Sequence, residues 1–183
     1  MVSKIKTLKS RLVYSDPENK WIRLYFDDVE FPDGSRGRFN KIIDGEGHPA
    51  VAIVPFSELG IGLVRQFRYA IGRDVWEIPR GLGHTEDTEL EARRELVEET
   101  GLIPKDLIPL GLMHADTSMI VTSMALFAAR CDPINATPSS DPRESCDFKW
   151  WPTHDAFRAA ERAEIVDGYS LSALLRARLK GLV

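Results

Sequence analysis

Residues 81–102 read GLGHTEDTELEARRELVEETGL, and their punctuation outlines a helix. Thr88 followed three residues later by Glu91 fits a capping box, and Gly101 supplies the left-handed residue that ends a helix. Between these limits Glu91, Glu95, Glu98 and Glu99 recur at spacings of three and four, which stacks four carboxylates on one stripe. Such a stripe repels itself by about 0.2–0.5 kcal/mol per pair in an exposed helix, and by more where the groups share a cleft. One reading is a solvated face on which Arg93 and Arg94 quench the acids through pairs such as Arg94 with Glu98. The other is that Glu95, Glu98 and Glu99 bind hard divalent cations, most naturally magnesium, which takes carboxylates, waters and substrate phosphates.

Upstream, Trp76-Glu77-Ile78 reads as a short strand halted by Pro79, after which Gly81 and Gly83 give a flexible loop into the helix. Residues 50–56 (AVAIVPF) and 61–65 are apolar, β-branched runs around the turn-prone Ser57-Glu58-Leu59-Gly60, a hairpin. Residues 11–14, 21–26 and 38–43, with a turn at Pro32-Asp33-Gly34, predict a small antiparallel sheet in an N-terminal region spanning 1–46. Downstream, 107–114, 119–129 and 148–151 have strand character, and 131–145 is a polar loop with three prolines. Helices follow at 154–163 and about 171–180, the second introduced by Ser170 as N-cap. Strands and helices that do not alternate regularly predict an α+β fold, a mixed sheet sandwiched between helices, over 47–183.

With 183 residues and 20.6 kDa, the chain suits one domain with an appendage. Its 43% hydrophobic and 28% charged residues support a packed core and exclude a disordered, collagenous or disulfide-stapled class. A net charge of -4 gives no pull toward nucleic acid. Cys131 and Cys146 lack metal-type spacing, so a reduced cytoplasmic setting is expected. No apolar run of about 18 residues occurs, so no membrane span is expected.

Gly81 to Glu86, then seven residues, then Arg94-Glu95-Leu96-Val97-Glu98-Glu99-Thr100-Gly101-Leu102 resembles the signature of the Nudix hydrolase family, G-x5-E-x7-R-E-U-x-E-E-x-G-U with U apolar. From Glu86 through Leu102 every specified position matches; Gly81 stands five residues before Glu86 rather than six, so the entering loop is one residue short. The resemblance implies an α/β/α sandwich with a mixed β-sheet. It implies Glu95 and Glu99 as principal metal ligands with Glu98 assisting, Arg94 orienting the glutamates, the Arg80 main-chain carbonyl in the metal shell, and a structural Glu86. It further implies Mg2+, with Mn2+ substituting, and attack of water on a phosphorus of a nucleoside diphosphate linked to another group.

Residues 65–69 (RQFRY) and 76–81 (WEIPRG) are similar to the branch that hydrolyses ADP-ribose and other nucleotide sugars to a nucleoside monophosphate and a sugar phosphate. That similarity implies Arg65, Arg68, Arg80 and Gly81 at the substrate and residues 1–46 as the dimerisation element of a homodimer. It also implies a general base from the loop after the signature. There Glu144 is the only glutamate of 131–145, with Asp141 and Asp147 as alternatives. Arg80 stands where this branch often carries alanine. The alternatives are hydrolysis of dinucleoside polyphosphates or modified nucleoside triphosphates, and a catalytically silent nucleotide-sugar-binding regulator.

Overall fold

The computed structural model describes residues 4–19, 21–45, 47–133 and 147–183. The chain divides into two compact units, Met1–His48 with His114–Ser123, and Pro49–Met113 with Met124–Val183.

In the first unit β1 (Lys6–Tyr14), β2 (Ile22–Glu30) and β3 (Arg36–Asp44) form an antiparallel sheet in that order. The β2–β3 turn closes at Gly34, whose φ of 82° suits a residue without Cβ. Asp27 is buried in this sheet, and bonds from Lys41 and Ser10 hold its carboxyl below the usual range. Residues 119–121 do not extend the following strand as their apolar character predicts. Their backbone instead pairs with Ile42, through Ile42 N–H to Met119 O at 2.8 Å and Val121 N–H to Ile42 O at 2.9 Å.

The second unit is one seven-stranded sheet with three helices. Its strands are β4 (Ala50–Ser57), β5 (Gly60–Arg68), β6 (Arg73–Glu77), β7 (Arg80–Gly81), β8 (Pro104–Met113), β9 (Met124–Cys131) and β10 (Asp147–Trp151). The path runs β10-β5-β4-β9-β8; β4 and β9 are parallel and the other pairs antiparallel, which makes the sheet mixed. Alternation along β4 fills two cores. Ala50, Ala52, Val54 and Phe56 pack with residues of α2 (Thr153–Glu161) and α3 (Gly168–Leu179). Val51 and Ile53 pack with Ala92 and Leu96 of α1 (Thr88–Thr100). The result is the expected α/β/α sandwich.

The sheet has a gap at its centre. β4 and β5 pair only at their hairpin end, Phe56 with Ile61 and Ser57 with Gly60, and then splay apart. β6 and β7 fill the opening: Val64 of β5 faces Glu77 on one edge and Phe148 of β10 on the other, while Val51 and Ala52 of β4 face Gly81 and Arg80. The two are one strand interrupted at Pro79, which has no N–H for a ladder but whose carbonyl still accepts from Ile53 N–H at 2.9 Å.

Both helix starts are shifted from their sequence signals by neighbouring aspartates. Asp87, not Thr88, caps α1 by accepting from Leu90 N–H at 3.1 Å, and Asp167, not Ser170, caps α3 by accepting from Ser170 N–H at 2.8 Å. Gly101 ends α1 with φ 72°, as the sequence predicts. Among the described residues no helix is long and apolar enough to cross a membrane.

Leu96 is the fully buried anchor of α1. Leu96→Ala is expected to cost about 2–5 kcal/mol of stability, read as a lower denaturant midpoint at unchanged slope.

Candidate active site

The carboxylate stripe of α1 is organised around one cation. Arg94 donates from Nε and Nη2 to Glu91 Oε2 at 3.0 and 2.8 Å, from Nη2 to Glu95 Oε1 at 2.7 Å, and from Nη1 to Glu98 Oε2 at 2.5 Å. Nη2 also reaches the Leu82 carbonyl at 3.2 Å, tying the entering loop to the helix. Glu91, an unspecified position of the signature, also ties this loop to the helix. It is buried, accepts from Thr85 Oγ1 at 3.0 Å and from the His84 backbone, and burial is outweighed by these bonds and by Arg94, so its carboxyl is lowered. The capping-box partner expected for Thr88 is thus employed on the loop.

Glu95 and Glu99 face the interrupted strand. Gly81 lies so close to Glu95 that a Cβ there would overlap its carboxylate, and Arg80 donates its backbone N–H to Glu99 Oε2 at 3.1 Å. Burial pushes both acids up. Glu95 is raised against the opposing pull of Arg94, and Glu99, desolvated and facing the charge of Glu95, is pushed up to about 8. Behind them Glu77, 1% exposed, is gripped by Arg68 through Nε at 3.1 Å and through Nη2. The Arg80 side chain leaves the other way. Its Nη2 is 3.3 Å from Asp167 Oδ1 and 3.6 Å from Glu77 Oε2, its guanidinium lies 5.2 Å over the Tyr169 ring, and its Nε is buried without a partner among the described residues.

These donors suit a hard cation. They are all oxygen, two are raised by burial and by the charge of a neighbouring acid, and one arginine cannot neutralise them all. Among the described residues no three carboxylate, imidazole or thiol groups converge as a ready cage. Mg2+ needs none, since it uses one or two carboxylates together with waters and substrate phosphates.

Of the residues singled out in the sequence, Glu95, Glu98, Glu99, Arg94, Arg80 and Gly81 come together at the α1–β7 junction, and Arg68 joins them through Glu77. Arg65 does not: three residues before Arg68 on β5, it leaves the opposite face and pairs at the surface with Asp74 at 2.7 Å. Glu144 and Asp141 lie outside the described residues, and Asp147 sits exposed at the start of β10, 3.9 Å from Arg65. Glu77 and Asp167 were not singled out, and Glu91 was read as a capping partner and stripe carboxylate rather than as an anchor of the loop; an acid inside a strand, Glu77 between Trp76 and Ile78, was the available signal for the first.

The NUDIX domain model matches residues 46–173. The chain belongs to the Nudix family. It is 30% identical over 178 residues to an ADP-ribose pyrophosphatase of Bacillus subtilis (strain 168), covering 96% of this chain and 93% of that protein. It is 32% identical over 153 residues to an ADP-ribose pyrophosphatase of Mycobacterium tuberculosis (strain ATCC 25618 / H37Rv), covering 81% and 72%. A crystal structure of an ADP compounds hydrolase shares the fold with TM-score 0.83 at 22% identity, over 100% of this chain and 99% of that one. The chain is therefore a Nudix enzyme that groups with the ADP-ribose pyrophosphatases.

The raised Glu99 gives the metal-free protein a pH signature. Its folded value lies above the ordinary 4.5, so folding favours the neutral acid; that contribution is complete below the unfolded value and is lost as pH rises through about 8. In chelator the melting temperature is expected to fall between about pH 5 and pH 8, and Glu99→Gln to flatten the slope; an equal slope in the variant would contradict this origin.

Proposed function

We propose that this Nudix enzyme is a Mg2+-dependent pyrophosphatase acting on ADP-ribose or another nucleoside diphosphate sugar, releasing a nucleoside monophosphate and a sugar phosphate, with the cytoplasm as its setting. The observation that carries this reading is the pair of acids, Glu95 buried and Glu99 desolvated, set against a glycine whose missing side chain leaves space for the Glu95 carboxylate. A diphosphate cannot approach such a surface without a bridging cation. The names of the two curated relatives favour ADP-ribose among the substrates.

Glu95 and Glu99 would hold the metal, with Glu98 assisting and the Arg80 carbonyl adjoining. When bound, the cation would neutralise the diphosphate and lower the pKa of an attacking water. Arg94 keeps Glu95 and Glu98 in orientation, and Gly81 leaves the space that the Glu95 carboxylate occupies. Arg68, anchored by Glu77, offers a positive edge to a phosphate, and Glu144 accepts the proton of the attacking water.

The first unit supports a homodimer. β1 is an edge strand of nine exposed residues, with Leu8, Leu12, Val13 and Tyr14 each 41–48% exposed. An uncovered apolar edge of that length invites a second copy.

The test is release of nucleoside monophosphate from nucleotide sugars, dinucleoside polyphosphates and nucleoside triphosphates, with Mg2+ or chelator. Turnover is expected with ADP-ribose or a related sugar and Mg2+, with kcat reduced at least about 100-fold in Glu99→Gln. Glu144→Gln is expected to lower kcat at nearly unchanged KM, and light scattering is expected to give twice the monomer mass. Preference for a triphosphate would move the enzyme to another Nudix branch, and ligand binding without turnover would make it a regulator.

A further inference from the structure

The first turn of α3 makes more contacts than a helix start requires. Capping needs one acceptor for the Ser170 N–H, and Asp167 Oδ2 provides it at 2.8 Å. Yet the Ser170 hydroxyl, fully buried, donates to the same oxygen at 2.8 Å and accepts the Ile78 backbone N–H, 92 residues away, at 3.0 Å. Asp167 Oδ1 meanwhile faces Arg80 Nη2 at 3.3 Å, and the neighbouring Tyr169 ring lies under the same guanidinium.

Both tethers end on the residues flanking Pro79. Where the strand is broken, the N–H groups of Ile78 and Arg80 have partners outside the ladder: Ser170 takes the first and Glu99 the second. The Arg80 amide is therefore one anchor of the Glu99 carboxylate, and the path of Gly81 bounds the space that the Glu95 carboxylate occupies. Two routes from α3 converge on Arg80, one along the backbone from Ile78 and one through its own side chain.

We propose that Asp167 and Ser170 are positioning residues for the metal-binding carboxylates, bracing the Ile78–Arg80 backbone so that Glu99 and Glu95 are held for the cation. The proposal rests on the reading of Glu95 and Glu99 as metal ligands. These two residues touch neither metal nor substrate; they act through the interrupted strand.

The test uses Mn2+ alone as the probe, its binding to the full chain followed by electron paramagnetic resonance in wild type, Ser170→Ala, Asp167→Asn and Glu99→Gln. Asparagine at 167 still caps the helix but presents no charge to Arg80. Cooperative melts establish which variants fold, and Asp167→Asn decides the matter if Ser170→Ala does not. Each folded brace variant is expected to weaken Mn2+ binding about 10-fold or more, with faster hydrogen exchange at the Arg80 amide. Wild-type Mn2+ affinity in folded brace variants, beside a loss in Glu99→Gln, would overturn the brace alone. Equal binding by wild type and Glu99→Gln would overturn the carboxylate reading, and the brace with it.

Discussion

The site depends on a shortage of positive charge in a place with little water. Glu91, Glu95, Glu98 and Glu99 share one side of α1, and Arg94 spends its donors on the first three. Glu99 accepts the Arg80 backbone N–H and faces the field of Glu95, and desolvation drives it toward its neutral form. Stable folded proteins seldom keep such an arrangement without a use for it. A hard divalent cation would remove the conflict, because it would replace the missing charge and accept oxygen donors from protein, water and phosphate together.

The fold concentrates this conflict by leaving a gap in its own sheet. The β4–β5 hairpin splays, and a strand broken at Pro79 enters between its arms. A continuous strand would send its N–H groups into the ladder on both sides. The break frees the Arg80 amide for Glu99 and the Ile78 amide for Ser170, so a defect in the sheet links α1 on one face to α3 on the other. Glycine at 81 then matters for space rather than for backbone freedom, since any side chain there would collide with the Glu95 carboxylate.

Much of this was legible in the linear chain. The signature from Glu86 to Leu102 identified α1 and its acids, the hairpin and its turn were plain, and the two-core alternation of AVAIVPF follows from a period of two. The errors share a cause. Thr88 and Ser170 have the right chemistry for caps, but an aspartate close before each is the better acceptor, and a local pattern does not rank competing neighbours. Residues 119–121 look like strand, but their backbone found Ile42, a partner 78 residues earlier in the case of Ile120. Arg65 and Arg68 looked equivalent until strand alternation put them on opposite faces.

By itself, then, the sequence determined the helix that carries the glutamate stripe, because the spacing of its glutamates is a property of helical geometry that needs nothing else in the molecule. It also determined the layered class, because apolar periodicity dictates which faces must be covered. Only the tertiary structure decided that Glu77, Arg68, Arg80 and Asp167 belong to one charged network around those glutamates. Arg68 and Glu77 meet across the β5–β6 pair and Arg80 lies three residues beyond Glu77, while packing of α3 across the sheet brings Asp167 to them. Their meeting depends on distances in space, for which separation along the chain carries no signal.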